Sequence, residues 1–222
     1  MKFGIDIGHN CPPDTGAVGI KREDDLTKDV GTRLMAKLSA AGHSVINCTP
    51  STATTVGESL GQRVNKANAN QVDIFVSIHF NAASHTFNPR GTEIYAISNA
   101  AKGIAQPVLK EITKLGFKNR GIKNTSFFVI KNTSMPAILI ECCFVDSEAD
   151  MALFDAEKMA EAIKVGLIGD AQSDENSPIH PGTLKITKPT ILKPSTEESK
   201  NLPKESLENI VPGNYKILDF RH

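Results

Sequence analysis

Apolar positions along the first 170 residues switch repeatedly between the alternation of a strand and the three-and-four spacing of a helix. Phe3 to Ile7 predicts a buried strand, and Gly8 to Gly16, rich in Gly, Pro and Asn, the loop leaving its carboxyl end. From Glu23 onward, Leu26, Val30, Leu34, Leu38 and Ala41 line one face of a helix that Gly42 ends. His43 to Cys48 predicts a second strand, and Leu60, Val64 and Ala67 mark a second amphipathic helix. Asp73 to Ile78 is apolar and β-rich enough for a central strand buried on both faces, and it delivers His79 and Asn81 at its carboxyl end.

Thr92 to Ile97 predicts a further strand, and Ala100 to Leu115 a helix interrupted near Pro107. Lys118 to Thr125 reads as a polar loop and Phe127 to Ile130 as a short strand. Pro136 to Ile140 leads straight into Glu141, and Ser147 to Leu167 predicts one final helix. Strands alternating with helices predict an α/β fold, a twisted, mostly parallel sheet flanked by helices on both faces. After Gly169 the chain turns polar and proline-punctuated: 170–182 reads as a linker and 183–222 as a small β-rich C-terminal segment. Thr183 to Lys188 and Asn214 to Leu218 carry its strand patterns.

Composition narrows the function classes. Lys plus Arg equals Asp plus Glu at 25 each, so no basic field recommends a nucleic acid. No apolar run approaches the roughly 20 residues of a bilayer span, so no membrane partner is expected. The N-terminus enters a strand at once, leaving no visible signal peptide; the expectation is a chain made in the cytosol. Cys11, Cys48, Cys142 and Cys143 show no CxxC spacing and are expected to be reduced, partly buried small hydrophobes. Cys11, two residues after His9, is the expected exception, and Cys142 and Cys143 are expected on opposite faces of their strand.

Four residues then stand out. A lone His9 would be a surface histidine at a strand-to-loop turn, but His79 sits at a second strand tip, and the carboxyl ends of strands converge on the crevice of an open α/β sheet. Glu23 alone would be a carboxylate favoured by the helix dipole; beside two histidines it completes a ligand set suited to zinc. Glu141 follows five residues of Pro-Ala-Ile-Leu-Ile, where a carboxylate is costly unless paired, metal-associated or protonated. It reads as a general base in a hydrolase, with a buried ion pair as the plainer alternative. Asn81 and Arg90 are weaker candidates for orienting substrate, and Lys118 to Lys131 reads as an ordinary polar connection or one wall of a groove.

These residues and their flanks carry a family resemblance. Ile5 to His9, Glu23 with its helix, Ser77 to Asn81, Arg90 to Tyr95 and Pro136 to Asp146 together resemble the zinc-dependent N-acetylmuramoyl-L-alanine amidases of the type 3 cell-wall hydrolase family, over residues 1–168. The resemblance implies a catalytic domain at 1–169 with one zinc per chain held by His9, Glu23 and His79. It implies Glu141 as the base, and hydrolysis of the amide joining muramic acid to L-alanine in peptidoglycan by a metal-activated water. It further implies a monomer acting on the cell wall after release or export, as a phage-type lysin or a bacterial enzyme, with 183–222 binding the wall or packing on the catalytic domain. Two positions depart from the family: Asn10 replaces a glycine, and Cys142-Cys143 stand where small or apolar residues are commoner. No long insertion that would form an autoinhibitory helix is visible between His79 and Glu141, so an exposed cleft is expected. Two rivals remain, a zinc peptidase resembling carboxypeptidases and a non-catalytic wall-binding protein.

Overall fold

The computed structural model describes residues 1–169 and, beyond them, the strand segments 183–186, 190–192, 208–210 and 213–216. The expected linker at 170–182 lies outside the described residues. In the first unit the order is β1 (Lys2–Ile7), α1 (Glu23–Ala40), β2 (Ser44–Asn47), α2 (Val56–Ala69), β3 (Ile74–Asn81), β4 (Thr92–Ala96) and α3 (Asn99–Lys114). There follow β5 (Asn119–Lys123), α4 (Phe128–Asn132), β6 (Ala137–Phe144), α5 (Glu148–Leu153) and α6 (Ala156–Ile168).

Six strands form one sheet in the order β2-β1-β3-β6-β4-β5. Every neighbouring pair is parallel except β6 with β4, so β4 and β5 run against the other four. The sheet is therefore mixed, with one antiparallel junction. Because of that reversal, one edge gathers the carboxyl ends of β1, β3 and β6 and the amino ends of β4 and β5.

Strand alternation divides the core. Phe3, Ile5, Val76, Ile78, Ile138 and Ile140 pack with α1, α3 and α6, whereas Phe75, Ala137 and Leu139 pack with Val64 and Ala67 of α2 and with Val129 and Ile130 of α4. Helices thus cover both faces. By the same alternation, Asp6, Ser77, His79 and Glu141 fall on the α2 side, where apolar positions give way to polar ones toward the strand tips.

Four local expectations change. Lys118 to Thr125 contains β5, which pairs with β4. Phe127 to Ile130 forms the start of helix α4 rather than a strand; a short apolar run does not reveal its period, and here Val129 and Ile130 pack beside Leu139. Pro107 does not interrupt α3, because both it and Gly103, four residues earlier, face solvent, where the freed carbonyl meets water. The final helix is two, since Asp155 accepts a bond from the N–H of Lys158 at 2.9 Å and caps α6 afresh.

The cysteines are free and buried as expected, but the two finer expectations about them change. All four are free and buried, Cys11 included, with no exposed surface at that residue. Along β6 three residue steps, Glu141 to Phe144, stand opposite two on β3, His79 to Asn81. This bulge brings Cys142 and Cys143 into the same core cluster instead of opposite faces. Desolvation by burial holds both thiols well above the ordinary range.

The chain's second unit, Ala171–His222, is separate by its contacts. It contains β7 (Thr183–Ile186) antiparallel to β10 (Gly213–Lys216) and β8 (Thr190–Leu192) antiparallel to β9 (Glu208–Ile210). β7 and β10 overlap the two alternating stretches of the sequence; β8 and β9 were not anticipated. No helix among the described residues is long and apolar enough to cross a membrane.

Candidate metal centre

Three side chains from three elements converge at the gathered edge. Ligand atoms of His9, Glu23 and His79 all lie within 4.8 Å of one another. Glu23 opens α1, so its carboxylate sits in the first turn, while β1 and β3 end beside it. Its Oε1 lies 3.3 Å from His9 Nε2 and 3.1 Å from His79 Nδ1. The N–H of Phe80 donates to Oε1 at 3.0 Å and that of Ala17 to Oε2 at 2.9 Å, fixing the carboxylate plane. The two imidazoles meet edge to face with centroids 4.8 Å apart.

The turn after β1 makes this approach sterically feasible. A Cβ on Gly8 would lie 2.5 Å from His79 Cε1, so only glycine leaves room for that ring. His9 and Asn10 both adopt left-handed backbone, each at φ 58. Asn tolerates that region when its side chain bonds locally, and Asn10 Nδ2 donates to the carbonyl of Gly8 at 2.9 Å and to Thr27 Oγ1 at 2.9 Å. Asn10 thus keeps the turn at the position where the resemblance implies a glycine.

Behind His9 lies a buried ionic network that sequence reasoning missed. His9 Nδ1 pairs with Asp14 Oδ1 at 2.9 Å, which leaves Nε2 facing Glu23. Asp14 Oδ2 in turn accepts from Ser59 Oγ at 2.7 Å and from Arg63 at 3.1 Å. Arg63, only 1% exposed, also bonds Asp6 and the carbonyls of Ile7 and His9, and Ser77 Oγ donates to Asp6 at 2.7 Å. Each charge has a partner, which a buried ion requires. The visible signal was slight: an Asp five residues past a strand-tip histidine, and an Arg on the buried face of α2.

Electrostatics follow from the pairing. Burial works against a charged His9, yet the Asp14 and Glu23 carboxylates outweigh it and raise the imidazole to about 10. Burial likewise opposes ionised Asp14, but His9, Ser59 and Arg63 hold it down at about 2. Glu23 is lowered further, its hydrogen bonds with both histidines outweighing desolvation. Without a cation, the cluster therefore stores a proton on His9 between two carboxylates.

Glu141 contrasts with all of these. It pairs in register with His79 on β3 and with Glu93 on β4. Its Oε2 is shielded from solvent and has no hydrogen-bond partner among the described residues. Desolvation is the main cause that raises it to about 7; His79 pulls the other way, and the negative charges of Glu23 and Glu93 push it further up.

Of the two substrate candidates, Asn81 reaches this corner and Arg90 does not. Asn81 Nδ2 donates to Glu93 Oε1 at 2.9 Å, and the same oxygen accepts from Tyr95 Oη at 3.0 Å. Arg120, on the strand expected to be a loop, holds Glu93 Oε2 at 2.9 Å. Arg90 instead bonds the Ser84 carbonyl at 2.8 Å and lies over the Phe144 ring at 5.4 Å, tying down the loop after β3. Phe127 packs edge-on against Tyr95 at 4.8 Å, which brings part of the Lys118 to Lys131 stretch alongside Glu93.

A sheet with a histidine and carboxylate cluster at its strand tips, and a nearly isolated carboxylate beside it, defines a candidate hydrolase site of the α/β class. Residues 4–169 match the family model described as N-acetylmuramoyl-L-alanine amidase, and the chain belongs to this family. It is 33% identical over 174 residues to the N-acetylmuramoyl-L-alanine amidase LytC of Bacillus subtilis (strain 168), covering 74% of this chain and 34% of that protein. It is 34% identical over 173 residues to the endolysin of Bacillus phage SPP1, covering 73% of this chain and 61% of that protein. Among solved structures it is similar to the catalytic domain of CwlV, an amidase from Bacillus (Paenibacillus) polymyxa var. colistinus. That match has a TM-score of 0.65 at 32% identity and covers 74% of this chain and 94% of that one. The chain thus spans about a third and about three fifths of the length of these two curated relatives.

Proposed function

We propose that this chain is a zinc-dependent N-acetylmuramoyl-L-alanine amidase that cleaves the amide between muramic acid and L-alanine in peptidoglycan. The observation that carries the reading is the pairing of a His9, Glu23 and His79 cluster with the unpartnered carboxylate of Glu141. Two imidazoles and one carboxylate within 4.8 Å fit a zinc that keeps an open position, as hydrolytic sites require. When bound, zinc supplies a Lewis acid that lowers the pKa of water and polarises a carbonyl.

This chain's residues do the rest. Asp14 accepts the Nδ1 proton of His9 and so presents the Nε2 lone pair to the cluster. Glu141, lacking a partner at Oε2 among the described residues, takes the proton of the attacking water and returns it to the departing alanine nitrogen. Asn81, Tyr95 and Arg120 hold Glu93 away from that proton transfer by occupying both of its oxygens.

Mass spectrometry of peptidoglycan digested with and without chelator tests the reading. The expected products are stems beginning with free L-alanine and glycan with intact lactyl groups, lost on chelation and restored by zinc. Release of free amino acids with the lactyl amide intact would favour a peptidase, and binding without cleavage a wall-binding protein.

A further inference from the structure

Arg63 is the largest fully buried side chain among the described residues, and charge balance alone does not account for its placement. It reaches from α2 to the carboxyl end of β1 and divides its donors between side chains and backbone. One terminal nitrogen donates to Asp6 and to the Ile7 carbonyl, the latter at 2.8 Å. The other donates to the His9 carbonyl and to Asp14 Oδ2, the latter at 3.1 Å, and Nε donates to Ser59 Oγ at 3.3 Å. Every nitrogen of the guanidinium is engaged.

Two of these bonds hold His9. His9 stands in the left-handed region at φ 58, where a residue with a Cβ is strained and persists only if its surroundings hold it. Arg63 grips the carbonyl of that residue and, at Ile7, the carbonyl just before the turn. Through Asp14, whose Oδ1 pairs with His9 Nδ1 at 2.9 Å, the same guanidinium also fixes the ring. A further bond leads to the other histidine. Asp6 Oδ2 accepts from Ser77 Oγ at 2.7 Å, and Ser77 lies opposite Asp6 in the β1 and β3 register, two residues before His79. One side chain thus grips the tip of β1 directly and that of β3 through Asp6. A planar fork with five donors can do this; a lysine ammonium, a single point on a flexible stem, cannot span the same acceptors.

We propose that Arg63 is a positioning residue of the metal centre, setting the turn and the ring of His9 and its placement against His79. The proposal rests on the zinc reading and deepens it: metal affinity and coordination geometry are governed from α2, by a residue that touches neither metal nor substrate. Ligands held in this way need no ordering when the ion binds, which is what preorganisation contributes to affinity.

The test is Arg63→Lys in the full chain, which keeps the charge and gives up the fork. Zinc affinity, read by competition with a chelator, is expected to fall about 10- to 100-fold. The visible absorption of the cobalt-loaded variant should shift as well, since those bands report the geometry around the ion. Val64→Ala, at the next residue of α2 and within the apolar cluster, is the control: it lowers stability in urea unfolding and leaves zinc affinity and the cobalt spectrum as in the native protein. Ser59→Ala, which removes the hydroxyl shared by Arg63 and Asp14, should weaken zinc binding in the same direction by roughly three-fold. Native zinc affinity together with a native cobalt spectrum in Arg63→Lys would mean that Arg63 only supports the fold, and overturns the proposal. An equal loss of affinity in Val64→Ala overturns it too. Should Arg63→Lys fail to fold, Ser59→Ala decides, native affinity there being the adverse result. Failure of the zinc reading shows separately, as a native chain that takes up neither zinc nor cobalt, and overturns both.

Discussion

Glu23 and Glu141 occupy the same strand-tip edge and live in opposite surroundings. Glu23 accepts two backbone N–H bonds, and its hydrogen bonds to two histidines outweigh its desolvation, so it stays ionised far below the usual range. Glu141 is desolvated by burial, has an oxygen with no donor among the described residues and sits near two other carboxylates, so it holds its proton up to about 7. Identical side chains thereby acquire opposite protonation behaviour from what surrounds them, which is the basis for proposing one as ligand and the other as base. The Glu23 corner is saturated with partners, and the Glu141 corner is left one partner short.

The sharpest way to break that contrast is Glu141→Ala. It is expected to lower kcat by about 10² to 10⁴ while zinc content, read by elemental analysis, stays at one per chain. Full activity in that variant would remove Glu141 from the chemistry.

Next in size is Asp14→Asn on the saturated side. It keeps the shape but withdraws the negative charge behind His9, and zinc affinity measured by competition with a chelator should fall about 10- to 100-fold. An unchanged affinity would mean that Asp14 supports only the turn.

The pH dependence of the metal-free protein sharpens the comparison further. Glu141 is raised, so its stabilising contribution is complete below its ordinary 4.5 and is lost as pH rises through about 7. His9 is also raised, so its contribution is complete below 6.5 and disappears through about 10. Asp14 and Glu23 are lowered; their contributions stand above 3.8 and 4.5 and vanish only in stronger acid. Chelated protein should therefore be most stable at about pH 5 and weaken steadily toward alkaline pH in urea unfolding. Zinc uptake at neutral pH should expel about one proton, seen as buffer-dependent heat, because His9 must give up its own.

The smallest expected effect is that of Arg120→Ala, which strips Glu93 of its cation. Uncompensated negative charge beside Glu141 should move the acidic limb of the kcat profile upward by a few tenths of a pH unit, since Arg120 is partly exposed and screened. An unmoved limb would show that Glu93 and Glu141 do not sense one another.

Most of the framework was legible in the chain because it depends on local periodicity. β1, α1, β3 and β6 follow from runs such as Phe3 to Ile7 and the Leu26 to Leu38 stripe, and the strand-tip histidines follow from where those runs stop. Where the pattern was short or polar, it misled: Asn119–Lys123 is a strand because β4 offers it an edge, and Phe128–Asn132 is a helix because the core beside Leu139 accepts one. The partners of the site were less visible still. Asp14 with Arg63 and Glu93 with Arg120 are two pairs, each drawn from separate segments, and little in their sequence neighbourhoods announces either pairing.

By itself, then, the sequence determined an alternating α/β chain, the residue types of a zinc-suited set and their places at strand tips and a helix start, since each is a matter of neighbours a few positions apart. Only the tertiary structure decided the reversal of β4 and β5, the bulge that turns Cys142 and Cys143 to one side, and the opposite electrostatic surroundings of Glu23 and Glu141. Those depend on desolvation and on charges brought together from distant segments, and such forces exist only once the sheet has closed around them.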